Sequence, residues 1–117
     1  MELLNTTLSL EAAGGADTAS VELHSEGGLT RSGLSQLSNA TVQIEVLGNA
    51  HSVEFRFESR LDDDLSYAMW KPIDIVNGGE TSLVGIDVVA MTDLRITAVN
   101  KDSSTPTDVR IVAVGGV

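Results

Sequence analysis

The sequences TVQIEVLG at residues 41–48 and VEFRFES at residues 53–59 decide the fold of this chain. Apolar and polar residues alternate in both, and LRITAV at residues 94–99 repeats the pattern. Because successive side chains of a strand point to opposite faces, this alternation predicts strands that bury one face and expose the other to water. The block from Thr41 to Val99 therefore predicts the core of a β-sandwich.

Turn-forming residues divide the remaining sequence into further short strands. Gly48 and Asn49, between the first two runs, favour a hairpin that joins them. Pro72 lies inside the run 69–76 and predicts an edge strand or a bulge, because proline cannot donate a hydrogen bond to a neighbouring strand. Further strands are expected at 83–89, 94–99 and 109–114. We predict an all-β fold without a helix, an antiparallel β-sandwich or jelly roll of about eight short strands.

The N-terminal third differs in composition from the rest of the chain. Residues 1–38 are rich in glycine, alanine, serine and threonine, whereas the alternating runs lie in residues 39–117. We predict a sandwich core at 39–117, with 1–38 forming either edge strands of the same domain or an arm that contacts a neighbouring subunit. Weaker alternation favours two strands in this third, one at Leu4, Thr6, Leu8 and Leu10 and one at Val21 and Leu23.

Composition argues against several classes of partner. The 117 residues include 17 acidic and 7 basic side chains, and the net charge of −10 repels nucleic-acid phosphates and anionic lipid headgroups. We therefore expect no nucleic-acid and no membrane partner. The chain has no cysteine, so neither a disulfide nor a thiolate metal site can stabilise it. Because we find neither a membrane-spanning apolar run nor the basic start of a secretory signal, we expect a soluble protein made in the cytoplasm.

A series of short motifs runs from Ala40 to Gly115. In order they are Gly48, Val53-Glu54-Phe55, Glu58-Ser59, Trp70, Gly85 and Leu94-Arg95-Ile96. This series resembles the small β-sandwich modules of virion structural proteins of tailed bacteriophages. There the segment often reads Gly, Val-x-Phe-Glu-Gly-Ser, Asp-Gly, Trp, then Gly and Val-Arg-Val. Here Asp62-Asp63-Asp64-Leu65 replaces the Asp-Gly turn, and no glycine separates Glu58 from Ser59.

The resemblance implies a non-enzymatic structural protein of the virion, made in the host cytoplasm. Such modules occur as capsid decoration proteins, head fibre components and minor tail proteins. We favour a decoration protein that binds the outer capsid surface and stabilises the particle. Its partners would be the major capsid protein or other virion proteins, and further copies of itself in a homo-oligomer, with a trimer favoured. The alternative is a carbohydrate-binding or adhesive module, since one fold serves both purposes.

Three adjacent carboxylates, Asp62, Asp63 and Asp64, are weak candidates for a cation site. Calcium binds several carboxylate and carbonyl oxygens at once, and three neighbouring side chains cannot all face one ion without a tight loop. The Asp-x-Asp-x-Asp-Gly spacing of a calcium loop is also absent, so we favour a solvated hairpin tip. His24 and His51 have no ligand partner at suitable spacing. We expect no metal site.

Trp70 and Tyr67 are candidate interface or core anchors. The alternating pattern places Phe55 and Phe57 inward. Trp70 and Tyr67 are therefore the remaining aromatic residues that could form an exposed platform for stacking on a sugar. Burying a large aromatic side chain is worth about 1.5–3 kcal/mol. We therefore favour Trp70 as a core or inter-subunit anchor.

The sequence carries no recognisable catalytic motif. It has no Gly-x-Ser-x-Gly elbow, no phosphate-binding glycine loop and no His-Glu-x-x-His signature. We expect no enzymatic activity, no catalytic residue and no cofactor.

Overall fold

The computed structural model describes residues 2–22, 39–60, 66–87 and 93–116. Among these residues no helix has the length and apolar character needed to cross a membrane. The described residues form eight strands: β1 (Glu2–Leu10), β2 (Ala16–Glu22), β3 (Asn39–Val46), β4 (Val53–Arg60), β5 (Ala68–Val76), β6 (Thr81–Asp87), β7 (Asp93–Asn100) and β8 (Thr107–Gly116).

The strands form two antiparallel four-stranded sheets. Sheet A has the order β1-β8-β3-β6, and sheet B has the order β2-β7-β4-β5. Apart from the step from β4 to β5, each strand is followed in the chain by one that lies in the other sheet. This interleaved order is that of a jelly roll. The predicted all-β sandwich of about eight short strands is confirmed.

The predicted hairpin between β3 and β4 is wrong. Strand β3 pairs with β6 and β8 in sheet A, whereas β4 pairs with β5 and β7 in sheet B. The turn at Gly48 and Asn49 therefore carries the chain from one sheet to the other. Both sides of β3 are already paired, so β4 has no free edge of β3 to join. A glycine-containing turn between two alternating runs indicates that the chain reverses, but it does not indicate which strand becomes the neighbour.

The core lies between the two sheets and follows the predicted alternation. Every second residue of β3 and β4 points inward, and Phe55 and Phe57 are fully buried. Strand β8 contributes in the same way from the centre of sheet A. The largest fully buried side chains are Phe55, Phe57, Ile44, Leu94, Ile96, Ile111, Val42, Val46, Val53 and Val109.

The expectation of an edge strand or a bulge at Pro72 is confirmed. Strand β5 is an edge strand of sheet B, at the opposite side from β2. Its pairing with β4 shifts register around the proline, since Phe55 faces Asp74 but Phe57 faces Lys71. The extra residue on β5 forms a bulge, and this irregular pairing accommodates a proline that cannot donate a hydrogen bond to the neighbouring strand.

Two strands of the N-terminal third belong to the sandwich. Strand β1 pairs with β8 along its length, and β2 pairs with β7. Leu8 and Leu10 are buried in the common core, as the alternation predicts. Of the second predicted pattern, Leu23 lies outside the described residues, as does the loop expected between Ser25 and Ser38.

Truncating Phe57 should destabilise the fold severely. Phe57→Ala leaves a cavity in the centre of the core, and we expect the free energy of unfolding to fall by about 3–5 kcal/mol. Urea denaturation measures it. Phe57→Leu, which keeps most of the volume, should cost less than about 1.5 kcal/mol, and Thr7→Ala on the exposed side of β1 should change the free energy by less than about 0.5 kcal/mol. Equal losses in the three variants would contradict the assigned core.

Candidate functional site

The outer face of sheet B carries a ladder of charged side chains. Residues of β4 that alternate with the core point outward, and several lie directly opposite outward residues of β7. Because each positive group has a negative neighbour, the ladder is neutral as a whole. Its ion pairs are Arg60 Nε to Asp93 Oδ1 at 3.1 Å, Arg95 Nη2 to Glu58 Oε2 at 3.1 Å and Arg56 Nη2 to Glu54 Oε2 at 3.2 Å.

Tyr67 contacts one end of this charge ladder. Its hydroxyl donates a hydrogen bond to Asp93 Oδ2. The guanidinium carbons of Arg60 and Arg95 lie 4.5 Å and 4.0 Å from the centre of the ring. Cations attract the face of an aromatic ring, so these contacts hold the ring against the sheet. The surface of Tyr67 that a sugar would use for stacking is thus already in contact with arginine.

Four loops meet at one end of the sandwich, and Asn100 lies at their centre. Asn100 is fully buried. Its Nδ2 donates to Thr105 O at 2.8 Å, and its Oδ1 accepts from Asp102 N at 3.0 Å. Its backbone N–H donates to Gly15 O and its carbonyl accepts from Gly14 N. All polar groups of this buried residue are therefore satisfied within the loops, as a buried amide requires.

Asp102 connects three of the loops. Its Oδ1 accepts hydrogen bonds from the backbone of Ser104 at 2.9 Å and Thr105 at 3.0 Å, and its Oδ2 accepts one from His51 N at 2.9 Å. Its carbonyl accepts from Ala13 N at 2.7 Å. The backbone bonds from Ser104 and His51 hold the pKa of the Asp102 carboxyl at about 2, well below its ordinary value of 3.8.

The fourth loop is held by close backbone packing. Gly78 N donates to Ala50 O at 2.7 Å, and Ser52 N donates to Asn77 Oδ1 at 2.8 Å. A Cβ at Gly78 would collide with the backbone of Gly48, so only glycine fits there. The four loops thus form a cross-linked end of the sandwich, which we call the loop end (residues 11–15, 47–52, 77–80 and 101–106).

The outer face of sheet A has a different character from the charge ladder. Two neighbouring rows of outward residues cross sheet A between the row of Arg110 and Glu45 and the row of Asn39 and Asp87. They carry no charged side chain apart from Glu2 at the margin. Leu83 is 68% exposed and Val114 is 46% exposed. We call this surface the uncharged patch: Asn5, Thr41, Gln43, Leu83, Gly85, Val112 and Val114.

An open cleft lies on the same side of the molecule, beside the loop end. Its volume is about 510 Å³. Strand β8 forms the base, because Leu10 pairs with Thr107 on one side and Leu47 N donates to Asp108 O on the other. We call it the β8 cleft; its lining residues are Ser9, Leu10, Glu11, Leu47, Gly48, Pro106, Thr107 and Asp108.

The structure brings together few of the residues singled out in the sequence. Asp62, Asp63, Asp64 and His24 lie outside the described residues. Trp70 belongs to β5, but its side chain falls outside the described part of the structure, so its role as an anchor stays a prediction. Within the described ranges, no three histidine or acidic side chains are placed to hold a metal ion together.

Sequence reasoning missed both the loop end and the uncharged patch. The signal for the first was Asn100-Lys101-Asp102, since Asn and Asp side chains often bond to backbone N–H groups just after them. The signal for the second was VRIVAV at residues 109–114, where apolar residues occupy outward as well as inward positions. A strand that is apolar on both faces predicts a second contact surface.

Comparisons with known proteins agree with the fold. No protein-family model and no curated protein sequence matches this chain. The crystal structure of PirA is similar, with a TM-score of 0.67 and 15% sequence identity over 94% of this chain and 93% of that chain. A chain in the cryo-EM structure of broad bean stain virus is also similar, with a TM-score of 0.56 and 11% identity over 99% of this chain and 85% of that one. The jelly roll described above is thus a fold found in a virus structure.

Tyr67 provides an optical test of the charge ladder, because it is the single tyrosine of the chain. Partial burial and the adjacent Asp93 raise the pKa of the phenol above its ordinary value of 10.0. A titration that follows phenolate absorbance should therefore have its midpoint above pH 10.0. Asp93→Asn should move the midpoint down towards that value, and Glu2→Gln, at the far margin of sheet A, should not. A midpoint unaffected by Asp93→Asn would contradict the contact.

The Asp102 carboxyl should make the stability of the fold depend on pH between its folded and unfolded pKa values. Its pKa is lower in the folded state, so the ionised carboxylate stabilises the fold above the unfolded value of 3.8, and this contribution is lost as the pH falls towards 2. Thermal unfolding should show a higher Tm for the wild type than for Asp102→Asn near neutral pH, with the difference disappearing as the pH approaches 2. Glu2→Gln should show no such convergence. A difference that stays constant across this range would contradict the assignment.

Proposed function

We propose that this protein is a non-enzymatic structural component of a virion that binds other particle proteins through the uncharged patch. Its most specific form is a capsid decoration protein of a tailed bacteriophage, docked on the outer capsid surface and stabilising the particle. The major capsid protein would be the partner, and the protein would be located in the virion.

The contrast between the two outer sheet faces carries this proposal. On sheet B, Glu54, Glu58 and Asp93 are already paired with arginines, so burying that face would also bury three ion pairs, although Met69 and Ile75 are exposed on its edge strand β5. In the uncharged patch, the apolar side chains of Leu83 and Val114 are exposed to water, although the chain has a net charge of −10. Depletion of charge around exposed apolar side chains is typical of the buried centre of a protein interface. An area that combines flat strands with apolar side chains favours a protein partner over a small molecule.

The fold is compatible with this role. A jelly roll presents two broad sheet faces and hydrogen-bonds most of its backbone internally, which suits a repeated building block of a particle. The similar chain in broad bean stain virus supports a particle role at the level of fold. The motif series from Ala40 to Gly115 supports the narrower assignment to tailed bacteriophages.

A homo-oligomer, with a trimer favoured, is part of the proposal. The chain has four aromatic residues and no cysteine, so contacts between copies would add stability that the single core lacks. Copies arranged by symmetry would also present several uncharged patches to the repeating capsid surface at once, which strengthens weak individual contacts.

The carbohydrate-binding alternative has less support from the described residues. Sugar recognition commonly uses an exposed aromatic face, and Tyr67 is engaged by Arg60, Arg95 and Asp93. The outer face of sheet B is occupied by ion pairs around it. We therefore place the binding function on the opposite sheet.

Charges introduced into the uncharged patch should abolish docking. In the double variant Leu83→Glu/Val114→Glu, two carboxylates would have to be buried in the interface, and we expect the affinity for the capsid to fall by about 30-fold or more. Co-sedimentation with capsids that lack this protein measures the binding. Because the positions are exposed on the folded protein, urea denaturation should show little change in stability.

Ile75→Glu provides the matched control. Ile75 is 57% exposed and lies on sheet B, away from the uncharged patch. It should bind capsids like the wild type. Equal binding by the wild type and the patch variant, or equal loss in the control, would contradict the proposed docking face.

A further inference from the structure

Ten acidic residues have described side chains, and these fall into two groups. One group is satisfied internally: Glu54, Glu58 and Asp93 pair with arginines, and Asp17, Glu80 and Asp102 accept hydrogen bonds from backbone N–H groups. The other group, within the described part of the chain, makes no side-chain hydrogen bond or ion pair. It consists of Glu2, Glu11, Glu45 and Asp108.

Three of these four unpartnered carboxylates lie in or beside the β8 cleft. Glu11 and Asp108 line it. Glu45 lies on the adjoining part of sheet A, opposite Arg110 in the register. Arg110, whose Nε and Nη2 both donate to Asn5 Oδ1 at 3.3 Å, keeps its positive charge and offsets the charge of Glu45, which lies opposite it. The two carboxylates that line the cleft itself, Glu11 and Asp108, have no ion-pair partner among the described residues.

The remaining lining of the cleft defines the kind of cation that fits. Leu47 is 49% exposed and, with Pro106, forms an apolar wall. Gly48 has no side chain to occupy the space, and a Cβ there would lie 2.8 Å from Thr107 Oγ1. The carboxylates do not converge with a third ligand as a metal ion requires. A cation with an aliphatic stem can pack the stem against the apolar wall and place its charge near the carboxylates. A bare metal ion makes no apolar contact with the wall.

We propose that the β8 cleft binds an arginine or lysine side chain of the partner protein. The aliphatic stem would pack on Leu47 and Pro106, and the cationic head would lie between Glu11 and Asp108. This inference rests on the proposed function, because it supplies the charged part of the same docking surface: the cleft lies at one end of sheet A, and the uncharged patch lies farther along the same face. The partner surface therefore combines an apolar area with a protruding basic residue.

A pair of short peptides tests the cleft directly. The peptide acetyl-Gly-Arg-Gly-amide carries the proposed cation, and acetyl-Gly-citrulline-Gly-amide has nearly the same shape without charge. In NMR titrations of the full isotope-labelled chain, we expect the arginine peptide to cause saturable shifts of the backbone amides of Glu11, Leu47 and Asp108, with the citrulline peptide causing none. Saturable shifts elsewhere, or equal shifts from both peptides, would overturn the proposal.

Variants separate a built site from general attraction to an acidic protein. Glu11→Gln/Asp108→Asn removes both cleft charges, and we expect the dissociation constant of the arginine peptide to rise by roughly fivefold or more, the sum of two exposed ion pairs. Glu2→Gln removes an equally unpartnered carboxylate at the far end of β1 and should leave it unchanged. Equal weakening by both variants would show attraction to net charge only and would overturn the site.

Different results would contradict the proposed cleft and the proposed function. Saturable peptide binding at the cleft by a protein that does not bind capsids would overturn the capsid function and leave the cleft. Capsid binding that is lost in Leu83→Glu/Val114→Glu but unchanged in Glu11→Gln/Asp108→Asn would overturn the cleft as part of the docking surface and leave the function.

Discussion

The burial of Phe55 and Phe57 between two sheets is the interaction on which the rest of this structure depends. They are the largest of the fully buried side chains, and the chain contains no other phenylalanine. Burying both from one strand fixes which face of β4 points inward, and a shift by one residue would place arginine and glutamate in the core. The same constraint places Arg56 and Glu58 outward. The inner packing and the outer charge ladder are thus two consequences of one alternating sequence.

The sequence could predict the strands and the core but not the pairing of strands. Alternation is a local property, so Val42, Ile44 and Val46 identify the inward face of β3 without reference to any other strand. Pairing is a property of distant segments: β1 lies beside β8, and β7 lies between β2 and β4. The turn at Gly48 looks the same whether the next strand joins the same sheet or crosses to the other. The mistaken hairpin arose from that ambiguity.

The surfaces with a candidate function were less predictable for a related reason. Asp62 to Asp64 and Trp70 attracted attention because they are unusual in composition. The uncharged patch, by contrast, is assembled from ordinary residues of four strands, and it becomes visible only when β1, β8, β3 and β6 are placed side by side. Unpartnered carboxylates such as Asp108 are likewise recognised only when the partners of all the other acids are known. Sites of this kind depend on register, which one sequence does not reveal.

The position of β8 has a consequence for how the protein is made. This strand, the last one described in the chain, occupies the interior of sheet A between β1 and β3. Until residues 107–116 have left the ribosome, those two strands lack the neighbour that links them, and the inward side of sheet A lacks Val109 and Ile111. Long-range pairing of this kind also slows folding. The nascent chain therefore exposes open strand edges until β8 has emerged, and encounters between unfinished copies at that stage favour misassembly over the native sheet.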